Sequence, residues 1–185
     1  MCSQLKRWEA MGIELPVSIN ISLKQLEQAD FVGHLIAIVE QYGVDYAMLE
    51  LEVTETIAMN DVDDAAKVLR ELHAQGFLIS IDDFGTGYSS LSYLMLYPIH
   101  TLKIDRAFIR DISSSDEVKL VDIIINMAHQ LGVDVIAEGV ETREQMEYLK
   151  NHHCRYIQGY LISKPLPVEE ITQMLIRSQS QPVFY

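Results

Sequence analysis

Short apolar runs of period two alternate along the chain with longer stretches of helical period. Val17, Ile19 and Ile21 fall on one side of an extended segment at 16–22, and a helical stretch follows to about Tyr42, where Gly43 supplies the stop. Residues 49–55 read as the second strand; Asp61 caps a helix through Ala65, Val68, Leu69 and Leu72 that stops at Gly76. Residues 77–84 form the third strand, a Gly-rich turn leads into a Ser/Leu/Tyr helix ending near Pro98, and 101–105 form the fourth. After Ser113-Ser114-Ser115 a helix runs to Gly132, then come a fifth strand at 133–140 and a helix capped by Thr142. A sixth strand at 156–162 and a helix at 168–178 complete the pattern, and the N-terminal residues read as a helix ending at Gly12.

Regular alternation of strand and helix predicts an α/β fold with a parallel sheet, each crossover long enough for a right-handed unit. An open doubly wound sheet would carry a Gly-rich phosphate turn after its first strand, but the residues there are Asn20-Ile21-Ser22-Leu23. Strand parity points the other way. Counting in twos, one face of the six strands carries Ser18 and Asn20, Glu50 and Glu52, Ser80 and Asp82, Lys103 and Asp105, Glu138, and Gln158. A lone Asn, Glu or Gln in a strand is ordinarily a satisfied polar group, and a strand Lys is ordinarily half of an ion pair. Six strands sharing one polar register is another matter, since a sheet buried on both faces reads nearly all apolar. Polar groups converging at C-terminal strand ends predict a TIM-like (β/α) barrel.

Charge narrows the partners. The 185 residues hold 14 Lys plus Arg against 27 Asp plus Glu, a formal net charge of −13. Such a chain does not hold a nucleic acid polymer on a phosphate-neutralising surface; an anionic ligand would need a bound cation. Cys2 and Cys154 make no disulfide framework and suit a reducing cytosol. The most apolar stretch, 120–137, is interrupted by Asp122, Asn126, His129, Gln130 and Asp134, so no membrane segment is expected.

Asn20, Glu52, Asp82, Asp83 and Glu138 form an oxygen-rich donor set suited to Mg²⁺ or Mn²⁺. Two such ions about 3.5–4 Å apart can hold a phosphodiester, activate water and stabilise the leaving oxygen. Lys103 would sit beside the water or the phosphate. The rival role for Lys103, a Schiff-base nucleophile, needs a lowered pKa, and the surrounding carboxylates oppose that.

The segment Asp82-Asp83-Phe84-Gly85-Thr86-Gly87-Tyr88-Ser89-Ser90 resembles the signature loop of the EAL domain family, the bacterial cyclic di-GMP phosphodiesterases. Ser18-Ile19-Asn20-Ile21-Ser22 resembles its Asn-bearing strand, and Leu49-Glu50-Leu51-Glu52-Val53-Thr54-Glu55-Thr56 its Glu-bearing strand. Leu102-Lys103-Ile104-Asp105, Ala137-Glu138-Gly139-Val140-Glu141 and Gln158-Gly159-Tyr160-Leu161-Ile162-Ser163-Lys164-Pro165 are similar to its later strands. The resemblance implies hydrolysis of cyclic di-GMP to linear pGpG in the bacterial cytoplasm. It implies metal ligation by Asn20, Glu52 and Asp82, with Asp83 on a second ion; Mg²⁺ or Mn²⁺ is the expected cofactor. Lys103 and Glu138 would position and activate water, Asp105 would support the metal or substrate, and Gln158 would contact substrate. Glu55 and Glu141 would be supporting, loop-anchoring carboxylates, and the loop 84–90 would couple the site to a dimer interface.

The family's namesake Glu-Ala-Leu strand has no counterpart. Glu9-Ala10-Met11 looks like it but lies in the helix before the Asn20 strand. Six units across residues 16–166 average about 25 residues, whereas a closed barrel has eight. The expectation is therefore a single EAL-type domain over 1–185 lacking its first two β/α units, and with them a metal-bridging glutamate and a phosphate-contacting arginine. Such a chain is expected to be weak or inactive alone and to self-associate through its open edges. A non-catalytic module that binds cyclic di-GMP or a protein is the alternative.

Overall fold

A computed structural model describes residues 1–55, 62–86, 94–110, 112 and 115–180. Its core is one parallel sheet with strands in chain order: β1 Val17–Asn20, β2 Leu49–Thr54, β3 Leu78–Phe84, β4 Thr101–Ile104, β5 Asp134–Ala137 and β6 Tyr156–Ile157. Helices α1 Cys2–Glu9, α2 Leu23–Leu26, α3 Phe31–Tyr42, α4 Val62–Gln75, α5 Arg106–Arg110, α6 Ser115–Leu131, α7 Arg143–Asn151 and α8 Val168–Ser180 surround it. The six strands and their helices make a half-barrel. Among the described residues β1 and β6 do not pair with each other, so each is an edge.

Register separates two faces. Leu51, Val53, Ile79, Ile81, Leu102, Ile104 and Ala137 point outward and are fully buried under the helices. They meet Ala66, Leu69 and Leu72 of α4, Val121, Ile125 and Ala128 of α6, and Leu149 of α7 in one core. Those helices form because their apolar residues recur at three, four and seven. Each fully buried aliphatic side chain contributes about 1.5–3 kcal/mol. Inward lie Ser18, Asn20, Glu50, Glu52, Ser80, Asp82, Thr101 and Lys103, the parity read from the sequence. On the outside, Trp8 Nε1 donates to Thr172 Oγ1 at 2.8 Å and ties α1 to α8.

Several boundaries differ from expectation. The helical stretch before Gly43 is two helices, broken where Asp30 takes a left-handed φ of 64°. The fifth strand stops at Ala137, where Glu138 and then Gly139, at φ 69°, turn the chain off the sheet. The sixth, expected to reach residue 162, stops at Ile157. A Cβ on Gly159 would sit 2.1 Å from the Val140 carbonyl oxygen, and Ile162 and Ser163 both donate backwards to the Gly159 carbonyl. The chain therefore crosses the β5 exit and turns. Helix α5 follows β4 without a signal in the apolar pattern. The Asp61 cap, most of the Ser/Leu/Tyr helix and residues 87–90 of the signature loop lie outside the described residues. Among the described residues no helix is long and apolar enough to cross a membrane.

Cys154 is buried between β5 and β6, its thiol directed at the Val135 and Tyr156 carbonyls, and burial pushes its pKa up to about 11. Only about a thousandth of it is thiolate at pH 8. In a Cys2→Ser background, Ellman's reagent at pH 8 should leave Cys154 unlabelled until denaturant unfolds the chain; rapid native labelling would contradict this packing.

Candidate active site

Four strand ends meet on one nitrogen. Lys103 Nζ lies 2.9 Å from Glu52 Oε1, 3.0 Å from Asp82 Oδ1 and 2.7 Å from Glu138 Oε1. These residues come from β2, β3, β4 and the turn after β5, all at C-terminal ends. The Lys103 side chain is only 5% exposed, so its charge is held almost wholly by the three carboxylates.

A bulge in β3 makes the acidic side of the site. Ile81 pairs with Leu102 and Phe84 with Ile104, so Asp82 and Asp83 together face the single Lys103. Adjacent strand residues ordinarily point to opposite faces. Here Asp83 turns left-handed at φ 54°, its N–H donating 3.0 Å to Asp82 Oδ1. The outcome is that carboxylate oxygens of Asp82, Asp83 and Glu138 all lie within 4.8 Å of one another. The next residues are fixed from behind. Gly85 N–H donates 2.8 Å to Oε2 of buried Glu55, and Gly85 itself has φ 98°. A Cβ there would meet Phe108 Cε2 at 2.7 Å. Gly85 thus serves both the backbone angle and the close approach.

The electrostatics are unbalanced. Burial alone would lower the Lys103 pKa, but hydrogen bonds and attraction from Glu138 and Glu52 raise it well above the usual lysine value. That leaves Lys103 a fixed cation and excludes it as an unprotonated amine nucleophile. Glu138 is raised by burial and by repulsion from Asp82 and Glu52, against the pull of Lys103. Asp83 is raised by burial, by Asp82 and by its hydrogen bond with Asp105. One ammonium thus faces more carboxylates than it can neutralise. The donor chemistry and the clustering of Asp82, Asp83 and Glu138 fit a hard divalent cation.

Residues 1–165 match the EAL domain. The chain belongs to the EAL domain family. It is 42% identical over 176 residues to the protein named cyclic di-GMP phosphodiesterase NbdA of Pseudomonas aeruginosa, covering 94% of this chain but 22% of that protein. The solved structure of the MucR phosphodiesterase of Pseudomonas aeruginosa in complex with c-di-GMP superposes with a TM-score of 0.89 at 39% identity, covering 92% of this chain and 70% of that one. The BlrP1 manganese/cy-diGMP complex of Klebsiella pneumoniae superposes at 0.81 and 32% identity, over 89% of this chain and 42% of that one. The chain therefore spans less than a quarter of the curated relative NbdA.

Within this EAL domain the expected residues gather unevenly. Glu52, Asp82, Asp83, Lys103 and Glu138 share one centre. Asn20 ends β1 in register with Glu52 and is exposed. Asp105 joins through Asp83 and accepts the Ala107 N–H at 2.7 Å. Glu55 anchors the Gly85 turn. Exposed Gln158 lies on the rim, its backbone joining the Ala137 and Val140 backbones. Glu141 stands apart, on the wall of a cleft with Asp105, Arg106 and Gln145. Sequence reasoning missed Gln145, which is buried and closes a capping box with Thr142. The Thr-x-x-Gln spacing was the available signal.

Two substitutions test the arrangement. Gly85→Ala should cost roughly 2–4 kcal/mol, from the positive φ and the Phe108 clash, read as the urea midpoint. Lys103→Ala should destabilise metal-free protein by about 3–5 kcal/mol, because three carboxylates lose their counter-charge. Added Mn²⁺ should recover part of that loss; a variant as stable as the parent would show that the cluster is not held by its ion pairs.

Proposed function

We propose that this EAL domain belongs to a metal-dependent cyclic di-GMP phosphodiesterase, which hydrolyses the cyclic dinucleotide to linear pGpG. The observation that carries the reading is the Asp82–Asp83 bulge facing Lys103 at the mouth of a parallel half-barrel, in a chain this similar to named phosphodiesterases. Asn20, Glu52 and Asp82 would hold one Mg²⁺ or Mn²⁺ and Asp83 a second. When bound, such ions polarise water and offset charge on the phosphodiester.

The chain's own residues do the rest. Glu138 accepts a proton from the attacking water. As water oxygen bonds to phosphorus, the P–O3′ bond breaks, and the 3′ oxygen takes a proton from solvent and leaves as a hydroxyl. Lys103 keeps the three carboxylates in place and sets a positive charge beside the phosphoryl oxygens as their charge grows. Asp105 orients Asp83, Glu55 holds the turn behind it, and Gln158 meets the substrate at the rim. In this reading two further β/α units lie on the N-terminal side, close the gap between β1 and β6, and bring the bridging glutamate and the phosphate-binding arginine. Self-association would use the same open edges, and the site would face the bacterial cytoplasm. A second reading, in view of the β1 and β6 edges that are unpaired among the described residues, is a module that binds cyclic di-GMP or a protein without cleavage.

The test is product analysis by ion-exchange chromatography with Mg²⁺ or Mn²⁺, on a protein in which the two further β/α units complete the domain. Linear pGpG should form and should cease on chelation. Lys103→Ala should lower kcat about 10²–10³-fold while Mn²⁺ binding by calorimetry is retained. Binding of cyclic di-GMP with no product under either metal would select the non-catalytic module.

A further inference from the structure

Two members of the site stand on turns that leave the sheet. Asp105 follows β4 and leads into α5, while Glu138 follows β5 and leads through Gly139 toward α7. Strand pairing between β4 and β5 runs as far as Ile104 and Ala137, and Glu138 N then donates 3.1 Å to the Ile104 carbonyl. Past that bond the ladder no longer sets the spacing of the two turns. Helix α5 has five residues and buries the side chain of Ile109, too little to be stable by itself. Yet the acidic side of the site leans on it. Asp105 Oδ1 accepts the Ala107 N–H at 2.7 Å, and Asp105 hydrogen-bonds Asp83. Phe108 backs Gly85 so closely that an added Cβ would lie 2.7 Å from its ring. Whatever fixes α5 therefore fixes Asp83.

One buried side chain reaches α5 from the other turn. Gln145 Nε2 donates 3.1 Å to the Ile109 carbonyl, while its Oε1 accepts from Glu141 N at 2.8 Å and Thr142 N at 3.0 Å, just past Glu138. The residue is buried, so neither end of the amide can exchange these partners for water without cost. The task needs an acceptor at one end and a donor at the other, which a primary amide supplies and a carboxylate does not. The same two segments touch at Gly139, where an added Cβ would lie 2.4 Å from Arg106 Cβ. Gln145 thus bonds the Glu138 turn to the helix that backs Asp83, and does so across two separate βα connections.

We propose that Gln145 is a positioning residue for the metal-dependent reaction: it clamps α5 to the Glu138 turn and so keeps the carboxylate oxygens of Asp83 and Glu138 within the 4.8 Å seen here. The proposal rests on the phosphodiesterase reading above. Gln145 acts through backbone, on the supports of Asp83 and Glu138, and not on the reacting atoms. Groups that orient carboxylates in this way typically change metal affinity or turnover about 10–100-fold when they are lost.

Two variants separate positioning from plain stability. Gln145→Glu keeps an acceptor for Glu141 N and Thr142 N but sets an oxygen against the Ile109 carbonyl, so it breaks the clamp. Thr142→Ala removes the hydroxyl that accepts Gln145 N at 3.2 Å, which weakens the α7 cap but leaves the clamp in place. Mn²⁺ binding to the 185-residue chain is measured by calorimetry, with thermal unfolding of each variant alongside. Turnover is measured in the domain completed by its two further units. Gln145→Glu should weaken Mn²⁺ about 10-fold and lower kcat about 10–100-fold, with KM for cyclic di-GMP changed less than threefold. Thr142→Ala should leave Mn²⁺ affinity and kcat within twofold of the parent. If the parent binds Mn²⁺ and turns over, and Gln145→Glu matches it in both, the positioning role alone is overturned. Equal losses in the two variants would trace the effect to α7 stability, and a Gln145→Glu chain that no longer unfolds cooperatively would make Gln145 a residue of the fold; either overturns the assignment. A parent that neither binds Mn²⁺ nor forms pGpG would overturn the functional reading, and this assignment with it.

Discussion

The buried ammonium of Lys103 is the constraint around which the rest is arranged. Glu52 on β2 and Glu138 after β5 are separated by three strand spacings, about 14 Å on a flat sheet. Both nevertheless touch one nitrogen, at 2.9 and 2.7 Å. Long side chains cover part of that distance, and the sheet must curve to supply the remainder. The half-barrel is therefore a requirement of the charge cluster as much as a consequence of βα connectivity. A buried cation with one carboxylate would be marginal, because desolvation consumes most of the attraction. With three, the cation is secure, and the surplus negative charge becomes the property that suits the site to hard cations.

The bulge at Asp82 and Asp83 translates that curvature into chemistry. A regular strand would send one of the two carboxylates into the apolar layer under α4 and α6, where ionisation is prohibitively costly. The extra residue avoids this by letting both face Lys103. It also ends the regular pairing of β3 just where Gly85 must bend away, so a single irregularity places two acids and starts the loop. Glu55 and Gln145 then work alike. Each is a buried polar side chain that binds backbone from another segment, so the mouth is held by directional bonds and not by packing alone.

Much of this was legible in the sequence, for a physical reason. Side-chain parity has period two regardless of tertiary context, so the polar set from Ser18 to Gln158 could be assigned to one face before any pairing was known. The centre's members, Glu52, Asp82, Lys103 and Glu138, followed from that count. The bulge was not legible, because it is decided by how β3 registers on β4, Ile81 on Leu102 and Phe84 on Ile104, and by the Asp82–Lys103 ion pair across the two strands, neither of which has a local signature. The early end of β6 was hidden as well. Residues 156–162 look extended, and only the approach of Gly159 to the Val140 backbone, set by the neighbouring strand, turns the chain. The break at Asp30 was missed because the apolar period continues across it.

The inward face remains energetically costly. Among the described residues Glu50 Oε1 and Ser80 Oγ are buried without a hydrogen-bond partner, although Glu50 Oε2 accepts from Ser18 at 2.8 Å. An unsatisfied buried polar group costs about 1–3 kcal/mol. Each of these residues has a strand neighbour on the other face, Leu49 and Leu51 beside Glu50, Ile79 and Ile81 beside Ser80, and all four are essentially inaccessible to solvent. A buried Leu or Ile contributes about 1.5–3 kcal/mol, so the cost of one inward polar residue is offset by its immediate outward neighbours. Alternation thus does two things at once. It aims the functional groups into the barrel, and on β2 and β3 it distributes the stabilisation so that each polar cost has apolar burial one residue away. The polar interior can then be tuned residue by residue while the outward layer keeps the sheet folded.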